Sequence, residues 1–167
     1  MPTAPYKIQQ VLLDVNVCID IIVNRSLSPE TKKKLFAVFI HNEIEVFVPA
    51  FSIDTVFYIL NSSMKIDKMV AKIAIQKLLK FTKLLHSNDE TIQRAFASNF
   101  SDFEDALINS LAETHNMDAI LTNNVSDFIK SDLPVYRPVD FIALFRWTLS
   151  ISSISLLTQH KRKIRYL

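Results

Sequence analysis

The chain contains no glycine at all among its 167 residues. Average usage of about 7% would place roughly a dozen glycines in a chain of this length. The absence excludes every glycine-rich phosphate loop, so neither a P-loop nor a dinucleotide-binding fingerprint can be present. It also predicts that Asn, Asp, Ser and Pro form the turns, because these residues tolerate or preset the dihedral angles of turns. Most classes of nucleotide-cofactor enzyme are thereby excluded.

Cysteine and histidine are scarce as well. The single cysteine, Cys18, cannot form a disulfide within the chain and lies in an apolar helical pattern, which predicts a buried structural thiol. The four histidines have no ligand spacing, which argues against a zinc site. The first ten residues lack an apolar signal segment, and no apolar run reaches the length of a membrane span. We therefore expect a cytoplasmic protein that does not enter the membrane.

The residues that are present suffice for one domain with its own hydrophobic core. Strand-like segments alternate with helical segments, which predicts a three-layer, Rossmann-like α/β fold with a parallel sheet of about four strands flanked by helices. We assign residues 1–147 to this domain and residues 148–167 to a C-terminal extension. The extension ends in a basic cluster that could contact RNA phosphates or an acidic partner, or could be a solvated terminus. The cluster consists of Lys161, Arg162, Lys163 and Arg165.

Local patterns place the main elements of this fold. The longest helical pattern covers residues 65–85. Ser52 is placed to cap a mid-chain helix, and Ser101 with Glu104 forms a capping-box sequence at the start of a later one. The predicted strands are residues 8–13, 45–48, 118–122 and 134–136.

Three acids are predicted to meet at one edge of the sheet. Asp14 follows the first strand directly, and Asp127 lies in the polar loop after the third. Because the loops after parallel strands leave the same edge of a sheet, these two side chains could converge there. Asp105 would join them from the first turn of a helix, where it shares a face with Asp102.

Carboxylates that converge in one cleft repel one another unless a cation neutralises them. Oxygen ligands without Cys or His suit Mg²⁺ or Mn²⁺ better than zinc. Such a site positions water for attack on a phosphodiester and stabilises the charge that develops. An alternative interpretation is that the three acids are unrelated surface residues that serve as caps and turn formers.

Three sequence blocks strengthen the first interpretation, because together and in this order they resemble the signature blocks of PIN-domain nucleases. The blocks are residues 12–17 (LLDVNV), 102–112 (DFEDALINSLA) and 120–128 (ILTNNVSDF), and the resemblance spans roughly residues 8–145. It implies a metal-dependent ribonuclease that acts on single-stranded or structured RNA. It further implies the toxin of a toxin–antitoxin pair, with an antitoxin protein as partner, and leaves a homodimer open.

The resemblance also assigns roles by position. Asp14, Asp105 and Asp127 match the catalytic, metal-binding acids of the family. Asp102 matches a further metal-binding acid that many members have. Asn16 and Asn124 match the polar residues that accompany these acids, which we assign, together with Thr55, to substrate binding.

The chain departs from the family pattern at three positions. Val15 replaces a threonine between the first Asp and Asn, and Asn123 replaces an arginine. Thr55 occupies the position of the family's second acid, a glutamate in the mid-chain helix. Asp54 lies one residue earlier, and one helical step rotates a side chain by about 100°, so Asp54 need not reach the metal.

Two alternative functions remain. One is a catalytically weak or inactive PIN-like domain that binds RNA or a protein partner through the same groove. The other is a phosphohydrolase of the haloacid-dehalogenase type, which Asp14 after a strand also suggests. That chemistry requires a second Asp two residues after the nucleophile, where this chain has Asn16, and an amide cannot act as general acid.

Overall fold

The structure, a computed structural model, describes residues 8–145. Within them it contains one five-stranded sheet in which every pair of neighbouring strands is parallel. This confirms the predicted α/β fold, with one strand more than the four expected. The strands are β1 (Gln10–Leu13), β2 (Glu45–Pro49), β3 (Lys83–Leu85), β4 (Ala119–Leu121) and β5 (Val135–Tyr136), and their order is β3-β2-β1-β4-β5.

Helices cover both faces of the sheet. A π-helical turn, Ile59–Ser63, continues the third helix, and a 3₁₀ turn, Val125–Phe128, follows β4. The α-helices are α1 (Val15–Val23), α2 (Pro29–His41), α3 (Ser52–Tyr58), α4 (Lys68–Phe81), α5 (Asp89–Ala97), α6 (Phe103–Thr114) and α7 (Pro138–Leu144).

Strand β1 is buried on both sides, which places it at the centre of the fold. Val11 and Leu13 point into a large core cluster that also includes Phe39 and Phe141. Leu12 points to the opposite face, into a smaller cluster that includes residues of α6. This alternation follows from the two-residue period of a strand, and continuous apolar runs are typical of parallel strands with both faces covered.

The single long helix predicted over residues 65–85 is wrong at both ends. Asp67 caps α4, since its Oδ1 accepts hydrogen bonds from the Met69 and Val70 amides at 2.8 and 3.2 Å. At the other end Thr82 takes an extended conformation, with φ −106° and ψ 162°, and its hydroxyl donates to the Leu78 carbonyl. The chain then enters β3, whose apolar residues continued the helical pattern in the sequence.

Two predicted caps are also wrong. Asp102, and not Ser101, is the N-cap of α6, and its Oδ1 accepts from the amides of Glu104 and Asp105 at 2.8 and 3.3 Å. Ser52 is the first residue of α3 and does not cap it. Aspartate is at least as good an N-cap as serine, so the capping residue in a Ser-Asp pair depends on where the helix begins.

The glycine-free chain makes four of its described turns with residues in the left-handed region. Asn24 and Asn116 have φ of 54° and 53°, as the composition predicts, but Glu43 and Lys65 also do, with φ of 54° and 57°. Cys18 is completely buried, and burial raises the pKa of its thiol well above the ordinary value. This is the inert structural thiol that the sequence predicts.

The ends of the chain lie outside the described residues. The basic C-terminal extension, residues 148–167, also lies outside the described part of the chain. The domain boundary at residue 147 therefore stays a prediction. Across residues 8–145, the helices are all too short or too polar to cross a membrane.

Candidate functional site

Strand pairing sets the position of the first acid. In the register of β1 and β4, Leu13 lies beside Leu121, and the Asp14 amide donates to the Leu121 carbonyl at 2.9 Å. Asp14 is therefore the next residue at the carboxyl end of β1, and it is also the N-cap of α1. Its side chain lies where strand and helix meet, at the edge of the sheet where ligands bind in open α/β folds.

Three hydrogen bonds fix the Asp14 carboxyl group. Oδ1 accepts from the Val15 amide at 2.6 Å, while Oδ2 accepts from the Thr122 hydroxyl at 2.7 Å and from the Asn16 side-chain amide. Asp14 is only 5% exposed. Burial raises the pKa of Asp14, and the charge of Asp127 adds to this, whereas the three hydrogen bonds oppose it. The carboxylate is thus held in one orientation at a site that disfavours an isolated negative charge.

Thr122 is a residue of this site that sequence reasoning missed. It is completely buried, and its hydroxyl both donates to Asp14 and accepts from the Asn124 amide at 3.0 Å. The register could have revealed it, since the residue after Leu121 must lie beside Asp14. Thr122 therefore positions the first acid and the start of the loop that follows β4.

Asn16 and Asn123 attach that loop to α1. The Asn16 Oδ1 accepts from the Asn123 amide at 2.9 Å, and the Asn123 side chain donates to Asp20 Oδ2 at 2.6 Å. Asp20 is completely buried and also accepts from Arg25 Nε at 3.2 Å. Asn16 is thus a hydrogen-bonding bridge between two elements, a role unlike that of the general acid of a phosphohydrolase.

Asp105 enters the site from the first turn of α6. Burial raises the pKa of Asp105 from an ordinary 3.8 to about 6, and the negative charges of Asp14, Asp102, Asp127 and Glu104 contribute further, in that order. Asp102 uses its Oδ1 as the helix cap. A pKa raised by several neighbouring acids marks a place where these carboxylates are close enough to repel one another.

A cleft of about 390 Å³ collects six of the seven site residues predicted from the sequence. Thr55 is the exception. The lining residues are Asp14, Asn16, Ser101, Asp102, Glu104, Asp105, Asn124 and Asp127. The structure therefore brings together side chains that are up to 113 positions apart, although their roles stay predictions.

Glu104 is the second residue that sequence reasoning missed, because the capping-box pattern gave it another role. Burial raises the pKa of Glu104, as do the charges of Asp14 and Asp102, while the Thr55 hydroxyl opposes the increase as a hydrogen-bond donor. The Glu104 Oε1 atom is buried and has no hydrogen-bond partner among the described residues. Asp54, by contrast, is exposed and does not line the cleft.

The donor set of the cleft consists of carboxylate, amide and hydroxyl oxygens, which are the ligands of a hard cation such as Mg²⁺ or Mn²⁺. Mutual repulsion of the acids and the unpaired buried oxygen of Glu104 both fit a cation in this place. Within residues 8–145, however, no three acid, His or Cys side chains are already arranged to hold a metal ion. The oxygen ligands of the cleft therefore suit a divalent cation by their chemistry. The side chains would have to move closer together to coordinate it.

Comparison with known proteins identifies the family. The family model described as PIN domain matches residues 10–126, and the chain belongs to this family. This confirms the resemblance drawn from the three sequence blocks. No curated protein matches the chain in sequence.

Solved structures share the fold at low sequence identity. A DNA-bound VapBC from Salmonella typhimurium is 14% identical, with a TM-score of 0.63, over 78% of this chain and 99% of that one. VapBC2 from Rickettsia felis, bound to a promoter DNA fragment, is 15% identical, with a TM-score of 0.61, over 77% and 98%. Mycobacterium tuberculosis VapC20, a toxin that cleaves the sarcin-ricin loop, is 13% identical, with a TM-score of 0.52, over 66% and 86%.

Proposed function

We propose that the protein is a metal-dependent endoribonuclease that hydrolyses phosphodiesters of single-stranded or structured RNA. The observation that carries this proposal is the cleft at the ends of β1 and β4, where Asp14, Asp105 and Asp127 interact by charge. These acids come from a strand end, a helix start and a loop, so no single structural role explains why they converge. Binding of one cation would explain it.

Each residue of the cleft has a definite task in this proposal. Asp14, Asp105 and Asp127 would hold Mg²⁺ or Mn²⁺, and Asp102 would contribute the oxygen that is not used for capping. Asn16 keeps Asp14 in place, and Asn124 lines the cleft where an RNA phosphate would enter. The bound cation would position water for in-line attack and stabilise the negative charge that develops on the phosphate.

The proposed biological setting is a toxin–antitoxin pair in the cytoplasm. It is supported by the similar fold of VapC20, a toxin that cleaves the sarcin-ricin loop, and of the VapBC complexes. An antitoxin protein would then be the partner of this chain. A homodimer remains part of the proposal, to be tested by the mass of the purified protein in solution.

A binding-only PIN-like domain is the second candidate. Thr55 at the position of an expected acid favours it, as does the absence of a ready-made metal site within residues 8–145. Such a protein would bind RNA or a protein partner in the cleft without cleaving RNA.

Cleavage of a labelled single-stranded RNA by the full-length chain, with Mn²⁺ and with EDTA, separates the two candidates. We expect cleavage only with Mn²⁺, and a loss of at least about 100-fold in rate for Asp14→Asn and for Asp127→Asn, since each removes a charged ligand. Asp132→Asn is the matched control, because Asp132 is exposed and lies outside the cleft.

The control variant should cleave at the wild-type rate. RNA that is bound but not cut by the wild type would support the binding-only domain. Equal cleavage by wild type, Asp14→Asn and Asp127→Asn would exclude this cleft as the active site.

A further inference from the structure

Glu104 lines the acid cleft, yet within residues 8–145 its carboxyl group neither caps a helix nor forms an ion pair. The start of α6 is capped by Asp102, whose Oδ1 accepts from the backbone amides of the first turn. Glu104 forms no ion pair within residues 8–145, although Glu90, at the equivalent second position of α5, lies 3.7 Å from Arg94. Helix capping and surface charge pairing therefore do not explain the position of this side chain.

The surroundings of the carboxyl group are unfavourable without a partner. Its Oε1 atom is buried and receives no hydrogen bond from any described residue. Buried polar atoms are nearly always paired, because an unpaired one loses its hydration without compensation. Glu104 also lies close enough to Asp14 and Asp102 to be repelled by their charges. A cation in the cleft would relieve both effects.

The Glu104 carboxyl group lies near Thr55. Residue 55 lies in the first two turns of α3, which starts just after β2 ends, so it is close to the same edge of the sheet. The Thr55 hydroxyl interacts with the Glu104 carboxyl group. A side chain from the start of α6 thus reaches the place where the residue 55 side chain leaves α3.

We propose that Glu104 supplies a further carboxylate toward the divalent cation, beside the four already assigned, in place of an acid at residue 55, and that the Thr55 hydroxyl orients it. The acid is then supplied by α6 rather than by α3. This inference rests on the proposed metal dependence, and it explains how the cleft can do without a glutamate in the mid-chain helix.

Thermal unfolding of the full-length chain, in EDTA and in excess Mn²⁺, tests this role without relying on activity. In EDTA we expect Glu104→Gln to unfold at the wild-type Tm or above it, because the variant removes one charge from a group of repelling acids. In Mn²⁺ we expect the rise in Tm to be about 3 to 6 °C smaller than for the wild type, which corresponds to a roughly tenfold loss of affinity. A merely structural residue would lower the Tm under both conditions.

A relocation variant sharpens the test. In Thr55→Glu combined with Glu104→Gln, the acid is returned to α3, and we expect the Mn²⁺-induced rise in Tm to recover at least half of the lost amount. Glu90→Gln is the control, because it makes the same change at the same position of the neighbouring helix, outside the cleft. Its Mn²⁺ response should equal that of the wild type.

The outcomes separate this inference from the proposed function. A full Mn²⁺ response in Glu104→Gln, beside a lost response in Asp14→Asn, overturns the role of Glu104 and leaves the metal site intact. A lower Tm of Glu104→Gln in EDTA also overturns it, in favour of a structural role. If Mn²⁺ does not stabilise the wild type, the inference fails, and RNA cleavage then decides separately about the proposed function.

Discussion

The Asp105 carboxyl group links the electrostatics of the cleft to a measurable pH dependence. Its pKa is raised from 3.8 to about 6 by burial and by the neighbouring acids. Below about pH 3 the group is protonated in both the folded and the unfolded chain and contributes nothing. As the pH rises from 4 to 6, the unfolded chain releases the proton first, so the free energy of unfolding falls. Above about pH 6 this destabilisation is complete.

We therefore predict that Asp105→Asn stabilises the metal-free protein at neutral pH and does so much less at pH 4. Thermal unfolding in EDTA from pH 4 to pH 8 would measure this. The difference in Tm between Asp105→Asn and wild type should grow across pH 4–6 and stay constant above pH 7. Asp132→Asn should show no such growth, and parallel curves for Asp105→Asn and wild type would show that the cleft does not perturb Asp105.

The residues of the site differ in how far the sequence can predict them. Asp14 and Asp127 follow strands, and Asp105 begins a helix, so the topology of a parallel sheet is enough to bring them to one edge. Thr122 requires the register of β1 against β4, which a single sequence does not give. Glu104 has a plausible local role as part of a capping box, and only the helix start at Phe103 shows that Asp102 fills that role instead.

Among the secondary-structure elements, β3 shows how an apolar pattern with helical spacing can predict a helix that is too long. Residues 65–85 carry apolar side chains at helical spacing. The last three of them form the short edge strand β3, and their side chains do not disturb that spacing. The helix ends because Thr82 takes an extended conformation and bonds back to Leu78. The new strand then pairs with β2, from Phe47↔Lys83 to Pro49↔Leu85. This tertiary pairing has no signature in the local sequence.

In the turn between α2 and β2, a glutamate occupies a left-handed position that glycine would fit better. Glu43 is exposed and has φ 54°, where the Cβ atom lies unfavourably close to the following carbonyl oxygen. We predict that Glu43→Gly raises the free energy of unfolding by about 0.5–1 kcal/mol, because glycine relieves this conformation. Chemical denaturation would measure the change.

Lys33→Gly provides the opposite control for that prediction. Lys33 is exposed in the middle of α2, where glycine should lower the free energy of unfolding by about 1 kcal/mol. If Glu43→Gly were destabilising to a similar degree, the turn would gain from its glutamate side chain more than it loses through the left-handed conformation.

For the whole molecule, one arrangement connects the fold to the proposed chemistry. The central strand β1 is flanked by β2 and β4, and residues that follow β1 and β4, together with the start of α6, line the cleft. Asp14 is buried at the end of a strand whose two faces are covered, while Asp127 lies exposed in the loop after β4. The central claim is that these separate acids form one cation site.

Calorimetric titration of Mn²⁺ into the full-length protein at pH 7 tests this claim most directly. We predict saturable binding by the wild type, an affinity at least about tenfold lower for Asp14→Asn, and unchanged binding for Asp132→Asn. Binding that is absent from the wild type, or equally strong in Asp14→Asn, would contradict the claim.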